Sequence, residues 1–196
     1  WGRADYKCIG PADTSGNYAA WLANDPINRN EFEIHTDDRR ITGDGGPQSE
    51  GLYVAYQGAS PFRSNRGTYH YSSYSHTKYL YSYYNNGYVG WTHLMSVAEM
   101  DMLIAEAELR ASNAQAACDQ INKYRVTNGQ LDPATPAAGI GSASDARSPR
   151  GSLWAMMKYE KGIEAAGKNA GIAWADRRGW GTLPTGTVLH FPIPGS

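Results

Sequence analysis

Eight of the fourteen tyrosines of this 196-residue chain fall between Tyr69 and Tyr88, inside the stretch 62–91, FRSNRGTYHYSSYSHTKYLYSYYNNGYVGW. Rings at this density have two uses. Packed across one another on short strands or extended loops, tyrosines fill half-buried pleated positions. Left open to solvent, a phenol plane is a platform on which the C–H face of a sugar ring stacks, while phenol, amide and guanidinium groups take the sugar hydroxyls. Tyr79, Tyr81, Tyr83 and Tyr84 supply the planes of such a site. Arg63, Asn65 and Arg66 before them, with Asn85 and Asn86 after, supply planar hydrogen-bonding groups. The two uses are compatible on opposite faces of one segment, and residue types alone leave both open.

Little else is spaced for chemistry. The chain has no Gly-rich phosphate loop, no HExxH helix, no GxSxG elbow and no cysteine–histidine cluster. His70 and His76 have five residues between them, which is not the spacing of two ligands on a helix; His35, His93 and His190 are scattered and read as surface or interface residues. Residues 37–46 lack the alternating oxygen ligands and closing Glu of a calcium loop and read as a turn. Cys8 and Cys118 are far apart; Cys118 suits a small buried hydrophobe, and a Cys8–Cys118 disulfide is the alternative that an extracellular location would permit. Glu99, Glu106 and Glu160 lie on or near apolar helical faces, where ionised carboxylates need partners, and Arg125, Arg177 and Arg178 are the guanidinium groups available. A glycosidase pair needs a fixed separation across a cleft, which a helix core does not supply. No metal, cofactor or catalytic residue is expected.

The elements that must carry the tyrosine segment are helical. Leu94, Val97, Ala98, Met102, Ala105 and Leu109 recur at steps of three and four, which predicts one buried helical face, with Thr92 as cap and Trp91 as staple. A break at 111–113 lets Asn113 cap a second helix that buries Ala114, Ala117, Cys118, Ile121 and Tyr124 and ends at Gly129. Small facing residues allow the two to pack closely as a tetratricopeptide-like hairpin over 92–128. The fold expected is one mainly α domain over 1–196, with this hairpin as core, long aromatic-rich loops and a few short strands. Residues 1–30 read as irregular chain with a short helix near Tyr18–Leu22; EFEIH (31–35) and Leu52–Tyr56 read as strands; 130–150 reads as a loop. Ser148-Pro149 suits a helix start, followed by a face of Leu153, Trp154, Met157, Glu160 and Ile163. A last helix is expected over 172–178, with Trp154, Trp174 and Trp180 as packing anchors and an extended close at 187–193.

At these residues the chain resembles the SusD/RagB family of outer-membrane nutrient-binding proteins. The first block is Ala98-Glu99, Leu103-Ile104-Ala105-Glu106-Ala107, Asn113, then Ala117 to Ile121-Asn122 and Arg125. The second is Glu160-Lys161-Gly162-Ile163-Glu164, Asp176-Arg177-Arg178-Gly179-Trp180-Gly181 and Phe191-Pro192-Ile193-Pro194. Asp37-Asp38-Arg39 resembles the D-x-R stretch ahead of that family's variable loops. Lys161 replaces a common Arg, Ala166-Gly167 replaces Glu-Gly, and KNAGIA (168–173) is spaced in, so the detailed ion pairs are expected to differ. The resemblance covers about residues 30–196 and implies the C-terminal portion of a longer protein: a fragment, a processed product or a pared-down relative. It further implies a surface-exposed outer-membrane lipoprotein, or an extracellular one, that captures oligosaccharide or another oligomer and delivers it to a TonB-dependent transporter.

Composition narrows the partners. Formal net charge is -1 and the basic residues are unclustered, so nucleic acid is not an expected partner. No apolar run is long enough to span a bilayer, and an export signal, if the gene encodes one, lies upstream of Trp1. Exposed tyrosines and near-zero charge also suit self-association, which makes a homo-oligomeric or filament subunit the alternative to ligand capture.

Overall fold

The computed structural model describes residues 3–58, 71–79, 87, 89–90, 94–166 and 172–190. In chain order the elements are β1 (Arg3–Asp5), α1 (Tyr6–Ile9), α2 (Asn17–Ala23), α3 (Arg39–Thr42), β2 (Val54–Tyr56), β3 (Tyr71–His76), α4 (Val97–Arg110), α5 (Ala114–Arg125), α6 (Leu153–Glu164) and α7 (Ile172–Gly179). Short 3-10 turns lie at Gly10–Ala12, Pro26–Asn28 and Pro136–Ala138. The described chain is therefore mainly helical with one small sheet.

Helices α4 and α5 pack antiparallel: Asp101, near the start of α4, accepts from Lys123 Nζ (2.9 Å) and the Tyr124 hydroxyl (2.6 Å), near the end of α5. Ala98, Met102, Ala105 and Leu109 face inward, as do Ala117, Cys118 and Ile121. The N-terminal boundary differs from expectation. Ser96, whose Oγ accepts from the Glu99 amide at 3.2 Å, is the cap, whereas Trp91 and Thr92 lie outside the described residues. Leu94 and Val97, expected inside, are 83% and 74% exposed. Leu94 lies before the Ser96 cap, and Val97 opens α4 beside its buried face rather than on it. Asn113 occupies the cap position of α5, yet its amide is turned to Glu108 Oε2 (2.8 Å) and makes no cap bond.

Helix α6 packs on both α4 and α5 and is the central beam. Nearly every side chain from Leu153 to Glu164 is buried, so its apolar and polar groups alike need partners on all sides. Its first half, with Leu153, Trp154, Met156 and Met157, joins Met102, Leu109 and Ile121 in one core cluster. Tyr159 and Ile163 belong to a second cluster with Tyr6, Ile9, Trp21, Ile34, Ile41, Val54 and Tyr74. The helix starts at a Ser152 cap on the Ala155 amide (3.2 Å), not at Ser148-Pro149, because Ser148 Oγ accepts from the Arg150 amide in a local turn. Trp154 is buried and Trp180 packs on its cluster; Trp174 is half-buried and donates to Val188 O at 3.0 Å. Both cysteines are free: Cys8 lies by the second cluster and Cys118 inside the first, which corrects the disulfide alternative.

The sheet is antiparallel in the order β1-β3-β2. The short helix expected near Tyr18–Leu22 forms as α2, and the rest of the N-terminal segment, expected to be irregular, contributes β1 and α1; together they bury Ala4, Tyr6, Ile9, Ala12 and Trp21. EFEIH forms no strand. Phenols satisfy its backbone instead: the Phe32 amide donates to the Tyr6 hydroxyl (2.8 Å), which donates to Phe32 O, and the Ile34 amide donates to the Tyr74 hydroxyl (2.9 Å). Tyr74 in turn donates to Pro47 O at 2.6 Å, so one side chain ties two loops to the central strand. Tyr74→Phe therefore strands a buried amide and a carbonyl, and should lower unfolding stability by about 1–3 kcal/mol in urea titration; a change under about 0.5 kcal/mol would contradict that role.

Candidate functional site

The densest assembly of ionisable groups lies where α6 crosses the sheet layer. Asp38 caps α3 through the Arg40 amide (3.0 Å) and leaves its carboxylate beside the Arg40 side chain. Arg40 is fully buried. Its Nε and one terminal nitrogen donate to Asp38 (2.9 and 2.7 Å); the terminal nitrogens also reach both oxygens of Glu160 (2.5 and 3.1 Å) and Glu164 Oε1 (3.0 Å). All five guanidinium donors are thus used. Glu160 and Glu164 are one helical turn apart on α6, which puts both carboxylates on one face.

The surrounding shell is polar and shared. Tyr159 donates to Asp38 at 2.5 Å. Tyr53 donates to Glu164 Oε2 (2.8 Å) and accepts from Asn128 Nδ2 (2.9 Å). Lys78 Nζ donates to Glu164 O (2.7 Å) and Oε2 (3.1 Å) and stands 3.9 Å from the Tyr53 ring centre. Arg125 is an electrostatic neighbour of Glu160 at 3.6 Å, too long for a hydrogen bond, and gives its Nε to Asp132 O. Gly129 has no Cβ because one would meet the Arg40 guanidinium. Burial pushes the Glu160 carboxyl up, against the pull of Arg40. Burial acts on Glu164 likewise, but Lys78 and then Arg40 more than reverse it and hold that carboxyl below its ordinary value.

Beside this network lies a narrow cleft of about 10 Å³, lined by Cys8, Ile9, Arg40, Tyr53, His76 and Lys78 among others. That is room for about one water molecule, far below a ligand pocket, and the Arg40 guanidinium on its wall has no donor left. Burial raises the Cys8 thiol despite Arg147, and lowers His76, with Lys78 adding to the effect. The arrangement is a structural clamp with a shallow rim. Among the described residues no group of His, Cys, Asp and Glu is placed to hold a metal ion.

Of the nine residues expected to bind ligand, Arg63, Asn65, Arg66, Tyr81, Tyr83, Tyr84, Asn85 and Asn86 lie outside the described residues. Tyr79 is half-buried in the turn after β3. That turn is the root of the tyrosine run, and it is anchored on the clamp: the Thr77 and Lys78 amides donate to Tyr53 O (2.9 and 3.2 Å), and Lys78 is fixed to Glu164. The stretch carrying Arg63, Asn65 and Arg66 joins β3 at its other end, about 17 Å away along the strand.

The ion pairs expected for the carboxylates are rearranged. Glu160 meets Arg40 and Arg125; Glu106 meets Arg110 (2.7 Å); Asp176 takes Lys161 (2.6 Å), while Arg177 and Arg178 are exposed. Glu99 is buried, and its Oε2 has no hydrogen-bond partner among the described residues. Sequence reading missed Arg40, Glu164, Lys78, Tyr53 and Asn128. The available signal was Glu160 and Glu164 at a four-residue step in an otherwise apolar helix, which demands a cation from elsewhere in the chain.

Comparison of the chain with family models, curated proteins and solved structures gives no match.

Glu164 binds its proton more weakly folded than unfolded, so its contribution is complete above the ordinary value of 4.5 and is lost as pH falls through the lower folded value. Glu160 runs the opposite way and softens the acid limb. Glu164→Gln should therefore be clearly less stable than the parent at pH 7, with the gap narrowing below about pH 4 as the parent carboxylate protonates. Urea midpoints at pH 7 and pH 3 measure this; a gap of constant size would contradict it.

Proposed function

We propose that this chain is a non-catalytic capture module of the SusD/RagB type, in which a tetratricopeptide-like helical core carries a tyrosine-rich segment that binds oligosaccharide. The resemblance in the two helical blocks supports the core. One observation supports the binding role: Thr77 and Lys78, just before Tyr79, are bonded to Tyr53 and Glu164 on the buried clamp, so the run starts from a fixed mount. Rings that start from fixed backbone lose less freedom when a sugar stacks on them. In this reading the clamp positions and does no chemistry, since Arg40 is saturated and its carboxylates are engaged. Capture and delivery to a TonB-dependent transporter, at the outer-membrane surface or outside the cell, is the role that follows. A second reading, a self-associating extracellular subunit, is favoured by the exposed apolar side chains of α4.

The test is calorimetric titration of malto-, xylo- and chito-hexaose into the parent protein and into the Tyr81→Ala/Tyr83→Ala double variant. Each ring contributes about 1 kcal/mol, so the double variant should bind roughly 10- to 30-fold more weakly, with helical circular dichroism unchanged. Unchanged affinity would remove this segment as the site, and an absence of binding by every hexaose would remove sugar capture.

A further inference from the structure

Helix α4 is apolar on two faces. Opposite its buried side runs a second stripe: Val97, Met100, Ile104, Ala107 and Ala111 follow the helical repeat, with Leu103 beside them, and all six are exposed. Val97 is 74% exposed, Met100 45% and Ile104 43%. The stripe is graded, bulky in its N-terminal half and small in its C-terminal half.

We propose that this stripe is the interface of a two-fold dimer in which two copies of α4 lie antiparallel. A two-fold contact requires a patch that complements itself. Antiparallel pairing supplies this, because the Val97–Ile104 half of each copy then faces the Ala107–Ala111 half of the other, and small residues let the helices approach closely. Parallel pairing would set bulky against bulky and leave a gap at the alanines. The exposed area of the stripe is on the order of 500 Å², within the range of the largest apolar patches on monomers. Two copies together bury about 1,000 Å², the size at which a specific interface begins. A formal net charge of -1 opposes the association very little. A two-fold contact closes on itself, so the product is a dimer and not a filament. The inference is independent of sugar capture.

Sedimentation velocity across protein concentrations of about 1–200 µM tests it. The parent should pass from monomer to dimer, and Ile104→Glu, at the middle of the stripe, should raise the dissociation constant at least about tenfold with helicity unchanged. Ala107→Leu/Ala111→Leu fills the space that receives the partner's bulky half and should also weaken pairing by about tenfold. A surface that is merely sticky, or shaped for some other apolar partner, would associate more tightly after that addition of apolar area. A monomer at every concentration, or tightening by the leucine pair, overturns the proposal.

Discussion

A guanidinium removed from water keeps its charge only where counter-charges and acceptors replace the solvent it has lost. Arg40 meets that condition with three carboxylates from two elements, Asp38 on the α3 cap and Glu160 and Glu164 on α6. Counting Arg125 and Lys78 with it, three cations face three anions, so the cluster is neutral as a whole. The arrangement constrains everything near it. Helix α6 cannot turn about its axis without stranding a carboxylate, and Gly129 cannot carry a side chain.

From that constraint the layers follow. The two core clusters divide along α6 between Met157 and Tyr159, and the charges at Glu160 and Glu164 lie just past that division. The α4–α5 hairpin is held to one half of the beam by apolar packing, while the small sheet and the N-terminal segment are held to the other by packing together with Tyr53, Tyr159 and Lys78. The tyrosine run leaves the sheet from the same point. Its last described residues after β3 include Thr77 and Lys78, whose amides donate to Tyr53 O, with Lys78 Nζ on Glu164.

The helical part of this design was legible in the sequence because its signals are local. The spacing of Ala98, Met102, Ala105 and Leu109, the break at 111–113 and the Leu153–Ile163 face each report on a single helix, and each forms. What failed to show was long-range. EFEIH alternates like a strand, but the hydroxyls of Tyr6 and Tyr74 take up its amides, and those residues are 26 and 40 positions from their partners. Arg40 read as part of a turn because its acids on α6 lie 120 and 124 residues away. Leu94 extended a correct apolar pattern past the Ser96 cap and Val97 opens the helix exposed, since periodicity marks a face without saying whether anything covers it. The candidate sugar site was legible only as composition, and of its residues Tyr79 alone lies within the described structure.

The most direct test of the account is the equilibrium stability of Arg40→Met, a substitution that keeps much of the side-chain volume and removes the charge. Three carboxylates would then be left in a buried site without their principal cation, and the account predicts a loss of about 3–5 kcal/mol in denaturant unfolding, with sheet-side tyrosine fluorescence and helical circular dichroism changing together. A loss below about 1 kcal/mol, or helices that unfold at the parent midpoint while the sheet side melts earlier, would contradict the claim that this one cation joins the two halves.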